Sequence, residues 1–216
     1  MPNEFAGYKT ILLFGGSFDP PHRAHLALPQ QAAKAIGADL IAYIPAGRAP
    51  HKLDRQQTDP EHRLAMLRLA LANGPGDVAT VVLTDEIDRG TDQPSYTVDT
   101  VEALHQWIDP DARLRLLIGA DQLRIFDAWR SPGRIIELAE PVVMVRPPDT
   151  SKSLLDALPP DQREAWADRL VEVDTIDLSS TELRGKVAVG ESIEPWTSAS
   201  VNDYILEHGL YRAAGG

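Results

Sequence analysis

A chain of 216 residues holds one large domain or two small ones, and 43% hydrophobic with 25% charged residues is an ordinary globular balance. A net charge of −11 argues against a broad nucleic-acid surface, which needs clustered basic residues. There is no cysteine, hence no disulfide, thiolate metal site or thiol nucleophile, and no apolar run approaches the roughly 20 residues of a membrane-crossing helix. Met1, Pro2, Asn3 and Glu4 lack the charge and apolar core of a secretion signal, so a cytoplasmic protein with no membrane partner is expected.

In chain order, apolar runs alternate with helical patterns. Strands are expected at residues 11–14, 40–44, 78–83, 114–118, 142–145 and 171–173. Helices are expected at 25–36, 61–72, 98–107, 135–138, 153–158, 161–170, 181–189 and 198–208. Pro60 behind Asp59 suits a first helical position after a cap, and Thr97 and Ser180 are expected caps. Pro29 falls in the second turn of the first helix, where it marks a kink or a later start. The alternation implies an α/β fold with a doubly wound, mostly parallel sheet covered on both faces. One domain over 1–216 is expected, with a sheet core at about 9–150 and a small C-terminal helical part at about 151–212. The polar stretches 45–60 and 85–95 read as long loops, which are usually functional or mobile.

Between the first strand and the first helix stands Gly15-Gly16-Ser17-Phe18-Asp19-Pro20-Pro21-His22-Arg23-Ala24-His25. Open parallel sheets bind nucleotides at such junctions. The glycines let a phosphate approach the backbone, the new helix offers free N–H groups and a positive dipole end, and His22 and His25 add donors that are weakly basic near neutral pH. Three apart, the two histidines would share one face of the first helical turn. A helix cap or a metal pair remains the bland alternative for an isolated pair of this spacing. A polyanion bound by so acidic a chain needs local positive groups, for which His22, His25, Lys52, Arg146 and Arg184 are the candidates.

A second helix start carries Ser179-Ser180-Thr181-Glu182-Leu183-Arg184. Ser179 with Glu182 reads as a capping box; the hydroxyls and Arg184 also suit an anion, and the two readings are compatible. Gly119 and Asp121 close a strand where a nucleoside could lie, or Asp121 is only a helix cap. Tyr96 and Thr97 precede a helix, and Trp129 follows; a ring could stack there, or Trp129 is simply core. His51 and Lys52 read equally as a solvated basic pair. A Gly-x-x-x-x-Gly-Lys-Ser/Thr loop, a Gly-x-Gly-x-x-Gly after the first strand and a Gly-x-Ser-x-Gly elbow are all absent.

Taken together these motifs resemble the nucleotidyltransferase superfamily, whose first signature is Gly-x-Phe-x-Pro-x-His-x-Gly-His and whose second is Ser-Ser-Thr-x-apolar-Arg. Within it the chain is similar to the bacterial nicotinate-mononucleotide adenylyltransferases, in Ile44-Pro45 followed by Pro50-His51-Lys52, in Pro94-Ser95-Tyr96-Thr97, in Ile118-Gly119-Ala120-Asp121, in Phe126 with Trp129, and in the ending His208-Gly209-Leu210-Tyr211. The likeness runs from about Ile11 to Arg212. It implies a Rossmann-like fold and attack of the nicotinate mononucleotide phosphate on the α-phosphorus of ATP, with Mg²⁺ held through substrate phosphates and no protein metal ligand. It implies His22, His25 and Arg184 as catalytic residues. ATP would be bound by Gly15, Gly16, Ser17, Phe18, His22, His25, Gly119, Asp121, Ser179, Ser180, Thr181 and Arg184. The mononucleotide would be bound by Gly16, Ser17, Lys52, Tyr96, Thr97, Trp129 and Arg146. The chain departs from the pattern at Ala24, where Gly is usual, at Ala46, where many relatives have Asn, and at Arg130, where an aromatic is common. A sister adenylyltransferase acting on nicotinamide mononucleotide or phosphopantetheine, and a non-catalytic nucleotide sensor, are the rival readings.

Overall fold

The apolar run at 11–14 is the middle of strand β1 (Thr10–Gly16), with Ile11, Leu12 and Leu13 wholly inaccessible. A computed structural model describes residues 4–47, 57–72, 74, 76–90 and 94–212. The side chains of β1 alternate between two cores, as strand geometry requires. Ile11 and Leu13 pack with Val101, Leu116 and Phe126, while Leu12 packs with Ala32, Tyr43 and Leu117 on the opposite face.

All six expected strands form: β1, β2 (Leu40–Pro45), β3 (Ala79–Val82), β4 (Arg113–Gly119), β5 (Ala139–Val145) and β6 (Leu170–Glu172). They make one sheet in the order β3-β2-β1-β4-β5-β6, with every neighbouring pair parallel. The chain winds outward from β1 to β3, then returns to β4 on the other side of β1. Chain connections at the carboxyl ends of β1 and β4 therefore diverge and leave a crevice between them. Strand β6 falls within 151–212, one residue earlier than the strand expected at 171–173. The helix expected to run to residue 170 stops at Ala167, and Leu170 already pairs with Val143.

Helix α1 (Arg23–Ile36) begins two residues earlier than expected, with His22 as its N-cap. It continues unbroken through Pro29, so the later start is not seen. Proline has no N–H for the carbonyl four residues back; here that carbonyl, of His25, accepts the Tyr43 hydroxyl instead at 3.2 Å. Helix α2 (Pro60–Leu71) starts as expected, with Pro60 first and the Asp59 side chain accepting from the Glu61 N–H at 2.9 Å. The stretch expected as a loop at 85–95 opens with a short helix, α3 (Asp85–Asp88).

Two expected caps move. Helix α4 (Thr97–His105) is capped by the extended backbone of Tyr96, with Thr97 already helical and no side chain on its first N–H groups. Beyond α5 (Ala120–Leu123), α6 (Pro132–Leu138), α7 (Ser151–Ala157) and α8 (Pro160–Ala167), helix α9 (Ser180–Ala188) takes Ser179 as its cap rather than Ser180. The Ser179–Glu182 capping box is present, because Ser179 is the last extended residue and Glu182 lies at the third helical position. Helix α10 (Ala199–Glu207) packs with α2 and α9 in a third apolar cluster around Met66, Leu183, Val187 and Ile205. No described helix is long and apolar enough to cross a membrane.

Candidate active site

Two cavities open side by side at the crevice between β1 and β4. One, of about 470 Å³, is lined by Gly16, Tyr96, Thr97, Trp129 and Arg130 among others. The second, of about 500 Å³, is lined by Phe18, His22, His25, Asp121, Arg146 and the start of α9, Ser179 to Arg184. Phe14, Gly15, Ser17 and Gly119 border both. The structure thus gathers the described candidates at one end of the sheet. Lys52 lies outside the described residues. Arg146, expected with the mononucleotide groups, stands in the histidine cavity instead, because β5 ends two strands away from β1 on the α9 side.

The histidine cavity is built on the β1–α1 turn. His22 is buried, and its ring stacks on that of His25 with centroids 3.7 Å apart. His22 sits just outside the helix, so the pair meets face to face rather than sharing one helical surface. The His22 N–H donates to His25 Nδ1 at 3.3 Å, which leaves the ring proton of neutral His25 on Nε2. His22 Nδ1 is buried without a hydrogen-bond partner among the described residues. Burial first, and the charge of Arg146 second, hold His22 down at about 4. The free protein therefore carries a neutral His22 near pH 7, not the weakly basic group expected from composition; an arriving anion would pull this value back up. No group of three metal-type ligands forms among the described residues.

Opposite the histidines, the α9 start spends part of its polar equipment on itself. The Ser179 hydroxyl serves the Glu182 capping box, and the Ser180 hydroxyl donates to the Pro20 carbonyl at 2.9 Å. Arg184 Nη1 donates to the Asp19 carbonyl at 2.7 Å, and Nη2 to the Thr181 hydroxyl at 3.2 Å. What α9 offers a ligand is therefore backbone N–H groups, its dipole and the outer edge of the Arg184 guanidinium.

In the other cavity, the uncapped first turn of α4 points N–H groups of the kind that bind carboxylates. Trp129 packs on Phe126 with centroids 5.3 Å apart, and its buried indole N–H has no acceptor among the described residues. The Arg130 guanidinium lies over the Tyr96 ring at 4.8 Å and 3.4 Å from Asp99. Gly15 has nothing within 4 Å of where a Cβ would stand, so it is open to the cavities, whereas at Gly16 a Cβ would meet the Phe18 ring at 2.9 Å.

Several residues of this region were not among the sequence-based candidates. Buried Asp19 accepts from the Tyr211 hydroxyl at 2.6 Å and from the Thr58 N–H at 3.3 Å, tying the chain's last described turn to the β1–α1 loop. Burial, then the Asp19 charge, push the Tyr211 phenol up. Glu86, buried in the wall of the aromatic cavity, accepts from the Thr100 hydroxyl at 3.0 Å, and burial pushes its carboxyl up. Arg63 is wholly buried. The only sequence signal for these was position: Asp19 lies inside the first motif and Tyr211 inside the closing one, while Glu86 looks like an ordinary surface charge on a loop and Arg63 like one on a helix.

Known proteins resemble this chain in sequence and fold. Residues 13–186 match the family described as cytidylyltransferase-like. A protein of Roseiflexus sp. (strain RS-1) named "Probable nicotinate-nucleotide adenylyltransferase" is 40% identical over 94% of this chain and 98% of its own, and one of the same name from Gemmatimonas aurantiaca is 38% identical over 93% and 91%. The Plasmodium falciparum nicotinic acid mononucleotide adenylyltransferase, solved in complex with NaAD, superposes with a TM-score of 0.68 at 19% identity over 94% of this chain and 97% of that one. With the paired histidines at one strand end, the serine-rich start of α9 facing them and the identity spread over nearly the whole length, the chain belongs to the nicotinate-nucleotide adenylyltransferase family.

Proposed function

We propose that this chain joins ATP and nicotinate mononucleotide into nicotinate adenine dinucleotide, with release of pyrophosphate, as a step of NAD biosynthesis. The observation that carries this reading is the pair of contiguous cavities. One presents imidazoles, a guanidinium and a helix start to phosphates; the other presents an aromatic ring and a second helix start to an aromatic carboxylate; both meet at Gly15 and Gly119.

A phosphate oxygen of the mononucleotide forms the new bond to the α-phosphorus as the bond to the β-phosphate bridge breaks, and the electron pair leaves with pyrophosphate. Little proton transfer is needed, so the protein's work is placement and neutralisation of charge. His25, with its proton on Nε2, and His22 hold the triphosphate. Arg184 and the N–H groups of α9 receive the β- and γ-phosphates. Gly119 and Asp121 border the adenosine. The N–H groups at Tyr96 and Thr97 hold the nicotinate carboxylate, and Trp129 stacks on the pyridine ring. Ser17, common to both cavities, lies where the two phosphates meet.

Mg²⁺ fits this scheme as a passenger on the triphosphate. The buried carboxylate of the phosphate cavity, Asp19, already has both oxygens engaged by Tyr211 and Thr58, and its neighbours are donors. When bound, the cation screens the phosphate charges from one another and from the attacking oxygen. The phosphorylated, freely diffusing substrates suit a cytoplasmic enzyme.

Incubating the protein with ATP and Mg²⁺ in parallel with nicotinate mononucleotide, nicotinamide mononucleotide and phosphopantetheine tests the assignment by pyrophosphate release. Fastest turnover with the nicotinate form is expected. No turnover with any acceptor sinks the enzyme reading in favour of a nucleotide sensor.

A further inference from the structure

Helix α2 carries a guanidinium that neither cavity exposes. Arg63 is 0% accessible, and the carboxylates of Asp19 and Asp59 act on it through their charge, with no hydrogen bond to it among the described residues. An unpaired buried cation is costly unless its donors are satisfied. Here Nε donates to the Thr58 carbonyl at 2.9 Å, Nη1 to the Ser17 carbonyl at 3.0 Å and the Ala46 carbonyl at 2.8 Å, and Nη2 to the Gly47 carbonyl at 3.2 Å. Four carbonyls from three segments converge on one planar fork, an arrangement that lysine cannot reproduce.

Two of those carbonyls, of Ser17 and Ala46, belong to residues on the cavity rims. Ser17 borders both, and Ala46 borders the aromatic one. Because Arg63 lines neither, the Ser17 and Ala46 carbonyls that it binds are turned into the interior rather than into the cavities. Across a trans peptide the following N–H points the opposite way, so the Phe18 and Gly47 N–H groups face away from Arg63. The Gly47 N–H meets the buried Glu86 carboxyl, placing the Ala46–Gly47 peptide between a cation at its C=O end and an acid at its N–H end. No side chain fits at Gly47, since a Cβ would stand 2.2 Å from the Glu86 carbonyl oxygen. On the other rim, Arg63 on Ser17 and Arg184 on Asp19 bracket Phe18, which is held at a φ of +48°. Non-glycine residues adopt that region only when their surroundings enforce it.

We propose that Arg63 is a positioning residue for adenylyl transfer: by drawing the Ser17, Ala46 and Gly47 carbonyls inward it shapes the rims of both cavities to accept the phosphates of both substrates. The proposal rests on the adenylyltransferase reading above for its substrates, but not for its geometry.

The test uses Arg63→Lys and Arg63→Gln in the full chain, with circular dichroism and thermal unfolding to establish the folded state. Steady-state kinetics for ATP and nicotinate mononucleotide and calorimetric binding of ATP with Mg²⁺ follow. At least one folded variant is expected to raise KM for both substrates tenfold or more and to weaken ATP binding equally, with Gln worse than Lys. A residue that only fills the core would lower the unfolding temperature and the active fraction, seen as reduced kcat at unchanged KM. That pattern, constants within twofold of the parent, or failure of both variants to fold overturns the proposal. If the parent itself shows no turnover, the adenylyltransferase reading falls while the ATP-binding arm still decides: tenfold weaker binding in a folded variant supports Arg63, and unchanged binding overturns it.

Discussion

The Tyr43 hydroxyl donates to the His25 carbonyl at 3.2 Å, at the one place in α1 where Pro29 withholds the N–H that a helix would supply. Tyr43 is buried between Phe14 and Phe18, and burial pushes its phenol up, so it stays protonated and donating at any working pH. A strand residue thus holds the backbone of a candidate catalytic histidine. Tyr43→Phe should lower stability by about 1 kcal/mol in denaturant unfolding and turnover several-fold. In a Pro29→Ala background the new N–H takes over the His25 carbonyl, and the same Tyr43→Phe change should cost clearly less. Equal costs in the two backgrounds would break the link.

His25→Ala removes a donor aimed at developing phosphate charge. Turnover should fall about 10²- to 10³-fold, with circular dichroism and unfolding temperature close to the parent's, since His25 is only half-buried. Near-normal turnover would take His25 out of the mechanism.

His22 sets a pH dependence of stability. Its value in the folded protein, about 4, lies below the ordinary 6.5. Between those values the unfolded chain binds more protons than the folded one, so stability falls as pH drops from 6.5 towards 4, by roughly 3 kcal/mol at most; above 6.5 the group contributes no slope. Comparing the parent with His22→Asn at pH 7.5 and pH 5 isolates this contribution, and the variant should lose less on acidification. ATP should reduce the parent's loss, because triphosphate charge favours the imidazolium.

Neighbouring glycines should behave differently. Gly15→Ala meets nothing within 4 Å, so stability should stay within about 0.5 kcal/mol, while KM for both substrates rises because Gly15 borders both cavities. Gly16→Ala drives a methyl into the buried Phe18 ring, 2.9 Å away, and should cost about 1–3 kcal/mol in unfolding experiments.

Arg130 places a positive charge over Tyr96 at the mouth of the aromatic cavity. Arg130→Gln should reduce the preference for nicotinate over nicotinamide mononucleotide about tenfold, equivalent to about 1.4 kcal/mol, measured as the ratio of kcat/KM values. An unchanged ratio would leave the selection to the α4 N–H groups alone.

Much of this was legible in the sequence for a physical reason. The strands are continuous apolar runs because both faces of the sheet are covered, and the β1–α1 turn and the α9 start announce themselves through glycine, histidine and serine at helix boundaries. Other features were hidden. Whether His22 lies inside or outside α1 depends on a single turn of backbone, and its depressed basicity depends on burial and on Arg146 arriving from β5. The roles of the Ser179 and Ser180 hydroxyls were ambiguous until the capping box and the Pro20 contact assigned them. Arg63 reads as one more charge in a helix, since its partners are backbone carbonyls that leave no trace in residue identity.

Attack by the mononucleotide phosphate on the α-phosphorus of ATP keeps every oxygen of that phosphate in the dinucleotide. Nicotinate mononucleotide carrying ¹⁸O in its phosphate, incubated with the protein, unlabelled ATP and Mg²⁺, tests it directly by mass spectrometry of both products. Retention of the label in nicotinate adenine dinucleotide with unlabelled pyrophosphate is predicted; label in the released pyrophosphate, or no dinucleotide at all, would contradict the account.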